Sequence, residues 1–575
     1  MMRPHLRPTA AGLLGVGLAV TVFASWGKPP APAVEKPGLR RPVALAVAGK
    51  WLYAANRNGT VTTIDTTTNT VAAEVAVGRK LSDLALTPTG VIAADEDAGE
   101  LVVLRRTDAR LEPTARIPVG PGPLTLEVTP DGSRGFVAGL WSRRVTDVDL
   151  TTSKIRRSVA LPFNPGRQRF LGTPPRLVVA DAFGGRLAVV DPETMTVESV
   201  RDLPAHNIRG LAGSADGRHL LVSHQVLSGR ATTSFADVHW GNLLTNTVRE
   251  VPVAAVRDPK ADPVADSRLH HLGDVGRGAG DPAGLAVTKD TGVLALGGVN
   301  EVAVGGRDGT WDRIAVGRRP TAVALSPDGA RAFVANTLSD SVSVLDLKAK
   351  RATAEVPLGA PAATTAVDRG EVLFHDARLS HDGWFSCHSC HTDGHTNGLL
   401  ADTFGDGSYG TPKRVPSLRG AAATRPFGWT GGAKDLDAQL HSSVETTMRG
   451  PKLTAAQTAD LAAYLQALPP VPPANKAPAG AVRRGEGVFR DQGCAACHEP
   501  PAYTSPKTYD VGLADEAGVR LFNPPSLRGV GQAGPYFHDG RARSLADVFA
   551  RHRHGVRGEL AGPDLDDLLA FLADL

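Results

Sequence analysis

Two pentapeptides, Cys387-His388-Ser389-Cys390-His391 and Cys494-Ala495-Ala496-Cys497-His498, take up all four cysteines of this 575-residue chain. Cys-x-x-Cys-His is the spacing at which a c-type haem is attached. Two thiols three positions apart can each add to one vinyl group of a single porphyrin. The next residue, His391 or His498, is then placed beneath the iron as proximal ligand. A zinc ribbon would need a second Cys-x-x-Cys or paired histidines beside the first, and neither motif has one. A thioredoxin-type dithiol would sit in a βαβ pattern, which neither does. The spacing predicts two covalently bound haems c, with Cys387, Cys390, His391, Cys494, Cys497 and His498 holding the two irons.

A chain of 575 residues exceeds what one core supports, so several domains are expected. The net charge is only +4 and no long Lys/Arg block occurs, which argues against nucleic acid as a partner. Arg3 and Arg7 precede an apolar stretch over 10–24, followed by Ala31-Pro32-Ala33. That order predicts a secretory signal over 1–33 and an exported, periplasmic or extracellular protein. An uncleaved anchor is the alternative, although the run is short for a bilayer span. No later stretch predicts a transmembrane domain.

From 41 to 358 a unit of roughly 40 residues recurs, the period of a propeller blade. Its clearest copies place a strand before Ser326-Pro327-Asp328-Gly329 or Thr129-Pro130-Asp131-Gly132 and another after it; Ser214-Ala215-Asp216-Gly217 is a weaker copy. Pro presets φ and Gly accepts positive φ, as tight turns between strands require. Seven blades are counted, with an irregular insertion near 228–282 in the fifth or sixth. The units resemble YVTN-type seven-bladed propellers of exported bacterial proteins, with Tyr53-Ala54-Ala55-Asn56 and Phe333-Val334-Ala335-Asn336 at the recurrent positions. The propeller histidines, among them His206, His224 and His270, read as turn or surface residues rather than ligands.

Beyond Gly359-Ala360-Pro361 the chain repeats itself. Arg369-Gly370-Glu371 returns as Arg484-Gly485-Glu486, and Pro416-Ser417-Leu418-Arg419-Gly420 as Pro525-Ser526-Leu527-Arg528-Gly529. Each copy ends in a helical pattern, at 456–468 and 565–575, and the Pro-rich stretch 469–478 separates them. The expected fold is an N-terminal all-β seven-bladed propeller followed by two mainly α cytochrome c domains, at 366–470 (peroxidatic) and 478–575 (electron transfer).

This last part resembles the bacterial di-haem cytochrome c peroxidases and their MauG-like relatives. The resemblance rests on Leu373-Phe374-His375-Asp376-Ala377-Arg378 before the first motif and Pro535-Tyr536-Phe537-His538-Asp539-Gly540 in the second module. It implies that Trp429 lies between the haems and that Gln439 is the distal amide. Glu445 is the nearest candidate for the distal carboxylate, although on the same alignment Thr447 takes that carboxylate's own position. A carboxylate above an open iron can pass a proton between the peroxide oxygens, and an amide can orient them. The alignment places His552 as sixth ligand of the second iron, with His554 second in order; Met448 is a lesser candidate at the first. Arg414 stands where an asparagine ligand to calcium is usual, which argues against that ion.

The implied function is an exported peroxidase-like oxidoreductase. It would reduce hydrogen peroxide at the first haem with electrons passed through the second from a small cytochrome or cupredoxin. The alternatives are a MauG-like oxidase acting on a protein substrate, or a non-catalytic electron-transfer cytochrome with a propeller binding module.

Overall fold

The computed structural model describes residues 38–306, 309–473 and 477–575; the expected signal segment lies outside them. Twenty-eight consecutive strands form seven four-stranded antiparallel sheets, each ordered as in the chain, from Pro42–Ala48 to Arg351–Pro357. Alternation of small and β-branched residues lets both faces of the middle strands pack. Arg331–Asn336 is buried at five of six positions, whereas the outermost strand Arg351–Pro357 is largely exposed.

The innermost strands of neighbouring blades pack against one another around a closed ring, the first, Pro42–Ala48, meeting the seventh, Pro320–Leu325. Closure rests on side-chain packing, because every sheet is built from one contiguous segment. Leu52 and Ile64 share a core with Phe333, Val342 and Val356. Closing the ring leaves no blade with an apolar face in water.

The Pro-Asp-Gly turns have one chemistry. Gly329 N–H donates to the Ser326 carbonyl at 2.8 Å with φ 68°, while the Ser326 hydroxyl donates to Asp328 at 2.5 Å. The repeated asparagines close the next hairpin. Asn56 Nδ2 donates to Thr60 and Thr62 hydroxyls, and Asn336 Nδ2 to those of Ser341 and Ser343. The insertion falls in blade five, where helices Phe235–His239 and Val253–Arg257 flank strand Leu244–Pro252.

After the propeller the chain is mainly helical and pseudo-repeated. Helix Ala366–Phe374 crosses Ala455–Ala467, and Ala479–Asp491 crosses Gly562–Asp574. The repeated Arg-Gly-Glu explains both crossings. A Cβ on Gly370 would lie 2.0 Å from the Asp460 carbonyl oxygen, and one on Gly485 would lie 1.9 Å from that of Asp567. Only glycine permits this approach. The preceding arginine then reaches across, Arg369 to both Asp460 oxygens and Arg484 to both of Asp567. Among the described residues no helix is long and apolar enough to cross a membrane.

The propeller is clamped onto the first Cys-x-x-Cys-His turn. Buried Asp281 accepts the Ser386 and Ser389 hydroxyls, each at 2.5 Å, and His206 Nε2–H donates to the Ser389 carbonyl at 3.0 Å. Arg57, Arg319 and Arg41 converge on Glu371 at 2.6, 3.5 and 3.7 Å. His206, His224 and His270 are therefore not surface residues: all three are buried, and His206 is part of the seam.

Candidate haem site

The two modules enclose one cavity of about 960 Å³, and both Cys-x-x-Cys-His motifs open onto it. Each motif sits on a single tight turn, Cys387–Cys390 and Cys494–Ala496, so its two sulfurs point to the same side. The four cysteines form no disulfide. Burial pushes the Cys387 and Cys390 thiols up to about 12. Neutral thiols in apolar surroundings are poor zinc ligands and slow redox nucleophiles.

Both proximal histidines are oriented by a backbone carbonyl. His391 Nδ1–H donates to Pro416 at 2.9 Å, and His498 Nδ1–H to Tyr503 at 3.1 Å. The proton is thereby held on Nδ1 and the Nε2 lone pair is left for iron. Burial pulls each imidazole down to about 4, so both are neutral, as ligands must be. Pro416 opens one copy of the repeated Pro-Ser-Leu-Arg-Gly, whose purpose was not apparent from the sequence.

The two ends of the cavity differ. Facing the second motif is His554, whose imidazole opens on the cavity and has a buried Nδ1 with no hydrogen-bond partner among the described residues. Burial chiefly, with a contribution from His554, depresses His498. His552, the expected sixth ligand, lies two positions earlier. It is not among the residues lining the cavity, although its Nε2 is likewise buried with no hydrogen-bond partner among the described residues, and both rings stand edge-on to Phe537 at 5.4 Å. Beyond helix Leu545–Ala550, Arg553, between the two histidines, takes φ 49°.

His538 also lines the cavity, and its Nε2 is buried with no hydrogen-bond partner among the described residues. Gln439, Ser443, Thr447 and Met448 line the wall, with Met448 buried at 4% exposure among Phe385, Leu440 and Leu453. Gln439 Nε2 donates to the Ser443 hydroxyl at 3.1 Å. Glu445 is not on this wall; its carboxylate accepts from His441 Nδ1–H at 2.6 Å, away from the cavity. Residues Ser442–Thr447 form a π-turn; Ser443 and Thr447, four positions apart, share one face of it, and Glu445, two positions from each, falls on the other.

Trp429 lines the cavity and joins the two modules. Its Nε1–H donates to the Arg414 carbonyl at 2.7 Å, and its own carbonyl accepts from Asn523 N–H at 2.8 Å. Arg414 lies over the Trp429 ring, 5.4 Å from its centroid, and donates to the Ala533 and Phe537 carbonyls. A guanidinium thus occupies the carbonyl-lined junction. Buried His395 also bridges the modules, from Ser417 to the Gln532 carbonyl.

Residues 364–476 match the di-haem cytochrome c peroxidase family. This chain carries a di-haem cytochrome c peroxidase domain behind its propeller. Hydrazine synthase subunit gamma of Kuenenia stuttgartiensis is 29% identical over 279 residues, covering 37% of this chain and 79% of that protein. The methylamine utilization protein MauG of Methylophilus methylotrophus is 27% identical over 288 residues, covering 38% and 84%. Cytochrome c551 peroxidase of Pseudomonas aeruginosa is 24% identical over 302 residues, covering 42% and 87%. Covalently bound haem c is the cofactor this family implies. The paired neutral thiols, carbonyl-oriented histidines and apolar cavity of this cytochrome c peroxidase domain suit it.

Proposed function

We propose that this protein is an exported peroxidase that reduces hydrogen peroxide at a haem on Cys387, Cys390 and His391, using electrons received through a second haem on Cys494, Cys497 and His498. The observation that carries this reading is the shared cavity: both Cys-x-x-Cys-His motifs open onto it, His554 lies near enough to His498 to act on it electrostatically, and Gln439, Ser443 and Thr447 line the wall as well. Bound haem supplies an iron at which peroxide can be held and the redox equivalents for its reduction; overall, one peroxide takes two electrons and two protons to give two waters.

The residues of this chain do the rest. Pro416 and Tyr503 fix the ring orientation of His391 and His498. His554 caps the second site and closes it to small oxidants. At the first site the Gln439 amide and the Ser443 and Thr447 hydroxyls orient peroxide and move its proton, with no contribution from Glu445. Trp429, bonded to one module through Arg414 and to the other through Asn523, is positioned to relay an electron between the haems.

The test is electron paramagnetic resonance of the resting ferric protein before and after peroxide. One high-spin and one low-spin signal are expected, the high-spin one lost on adding peroxide. His554→Ala should convert the low-spin signal, and His552→Ala should leave it. Two low-spin signals indifferent to peroxide would refute the proposal. Steady-state turnover with a small cytochrome or cupredoxin separates peroxide reduction from oxidation of a protein substrate.

A further inference from the structure

Away from the haem cavity, on the seam between blade five and the first haem module, three potential ligand atoms converge. Helix Phe235–His239 ends on His239, and the short turn His381–Gly383 presents His381 and Asp382. His239 Nδ1 lies 2.8 Å from Asp382 Oδ2 and 3.3 Å from His381 Nε2, and that nitrogen lies 3.3 Å from the same Oδ2. We propose that His239, His381 and Asp382 form a binding site for one divalent first-row transition ion of the zinc or copper type.

The distances suit such an ion. A circle through the three atoms has a radius of about 1.8 Å, so a cation bonded to each at ~2.0–2.1 Å would stand about 1 Å off their plane, on one face of a tetrahedron or octahedron. Two imidazoles and a carboxylate suit zinc, copper, iron and nickel rather than calcium or magnesium, which take oxygen ligands. Without an ion, one carboxylate oxygen faces two ring nitrogens that also crowd each other.

The ligands are pre-positioned by bonds that cross the seam. Asp382 is held in the left-handed region at φ 60°, and its carbonyl accepts from Gly278 N–H at 2.6 Å. His381 N–H donates to the Met448 carbonyl at 2.9 Å, and Trp384 Nε1–H to the His239 carbonyl at 3.3 Å. A non-glycine residue at positive φ persists only when its surroundings over-determine it. The three side chains are 32%, 29% and 18% exposed, which leaves the remaining coordination positions open to solvent. Phe235, 57% exposed, stacks on the His239 ring at 5.7 Å and walls one side. An ion here would pin the propeller to the turn His381–Gly383, whose His381 N–H is bonded to the carbonyl of Met448, a wall residue of the haem cavity.

The experiment uses untagged, chelator-treated holoprotein with its haems in place, titrated calorimetrically with Zn²⁺ and with Cu²⁺. One equivalent is expected, with a Cu²⁺ resonance spectrum showing nitrogen coupling. His239→Ala/His381→Ala should weaken binding by about 100-fold or more, since even outer partners of metal ligands change affinity ~10–100-fold. Should that pair misfold, judged by its Soret band and circular dichroism, Asp382→Asn is the isosteric substitute, with a loss of about tenfold or more expected. Absence of binding, or binding unchanged in a folded variant, would overturn the proposal.

Discussion

Glu371 joins the propeller to the haem half, and removing it should cost more than its single carboxylate suggests. Its side chain is 12% exposed and faces Arg57 at 2.6 Å, Arg319 at 3.5 Å and Arg41 at 3.7 Å. Arg41 also has Asp368 at 3.0 Å, and Arg57 is 36% exposed, so neither is stranded without Glu371. Arg319 is different: it is 14% exposed, and its remaining carboxylate partner is Asp393 at 4.0 Å. Leaving a buried charge unpaired costs ~3–5 kcal/mol, and the partial cover from Asp393 places Glu371→Ala near the low end, about 3 kcal/mol. The assay is the urea midpoint of the first unfolding transition, because a chain of several domains need not unfold in one step. If the loss comes from a stranded guanidinium, Arg319→Ala/Glu371→Ala should be more stable than Glu371→Ala alone, with a coupling of at least ~1 kcal/mol. Strictly additive losses would refute the reasoning. Burial alone would raise the Glu371 carboxyl, but Arg57, Arg319 and Arg41 together outweigh it and hold it below its usual value. A carboxyl depressed in the folded state stabilises above its unfolded pKa, near ~4.3, and that contribution disappears as pH falls through the folded value. The deficit of Glu371→Ala should therefore shrink below about pH 4.

Three further outcomes are expected. Thr447→Glu places a carboxylate on the wall opposite His391 and should raise peroxide turnover, by up to the ~10²–10⁴-fold that general acid–base catalysis contributes; unchanged turnover would remove Thr447 from the site. Asp281→Ala leaves the Ser386 and Ser389 hydroxyls without their shared acceptor; it should cost about 3 kcal/mol and shift the first haem's spectrum but not the second's. Gly485→Ala should destabilise by ~1–3 kcal/mol through overlap with the Asp567 carbonyl, whereas Gly487→Ala in the same helix, whose nearest neighbour is 3.9 Å away, should stabilise by up to ~1 kcal/mol. Melting temperatures of the two variants decide it.

Features carried by local chemistry were legible in the chain. The Pro-Asp-Gly turns, the blade count and the duplicated Arg-Gly-Glu each depend on residues a few positions apart, so pattern and spacing reveal them. The placing of the distal candidates depends on local backbone irregularities at two places. Within the π-turn Ser442–Thr447, Ser443 and Thr447 line the cavity and Glu445 does not. Across the left-handed Arg553, His554 lines the cavity and His552 does not. Neither irregularity has a sequence signature comparable to a turn glycine.

By itself the sequence determined the covalent part: two Cys-x-x-Cys-His turns, each able to anchor one porphyrin because thiol and imidazole spacing is set within five residues. It also determined the ring of blades, because a repeated apolar period can bury its faces only by stacking on its neighbours. Tertiary structure alone decided that both motifs share one cavity, that the propeller's Asp281 and His206 grip the first of them, and that His239 meets His381 and Asp382. Those contacts join residues more than one hundred positions apart. Their cost is the entropy of closing the chain and desolvating charge, repaid only by the whole packed interface, which no local pattern records.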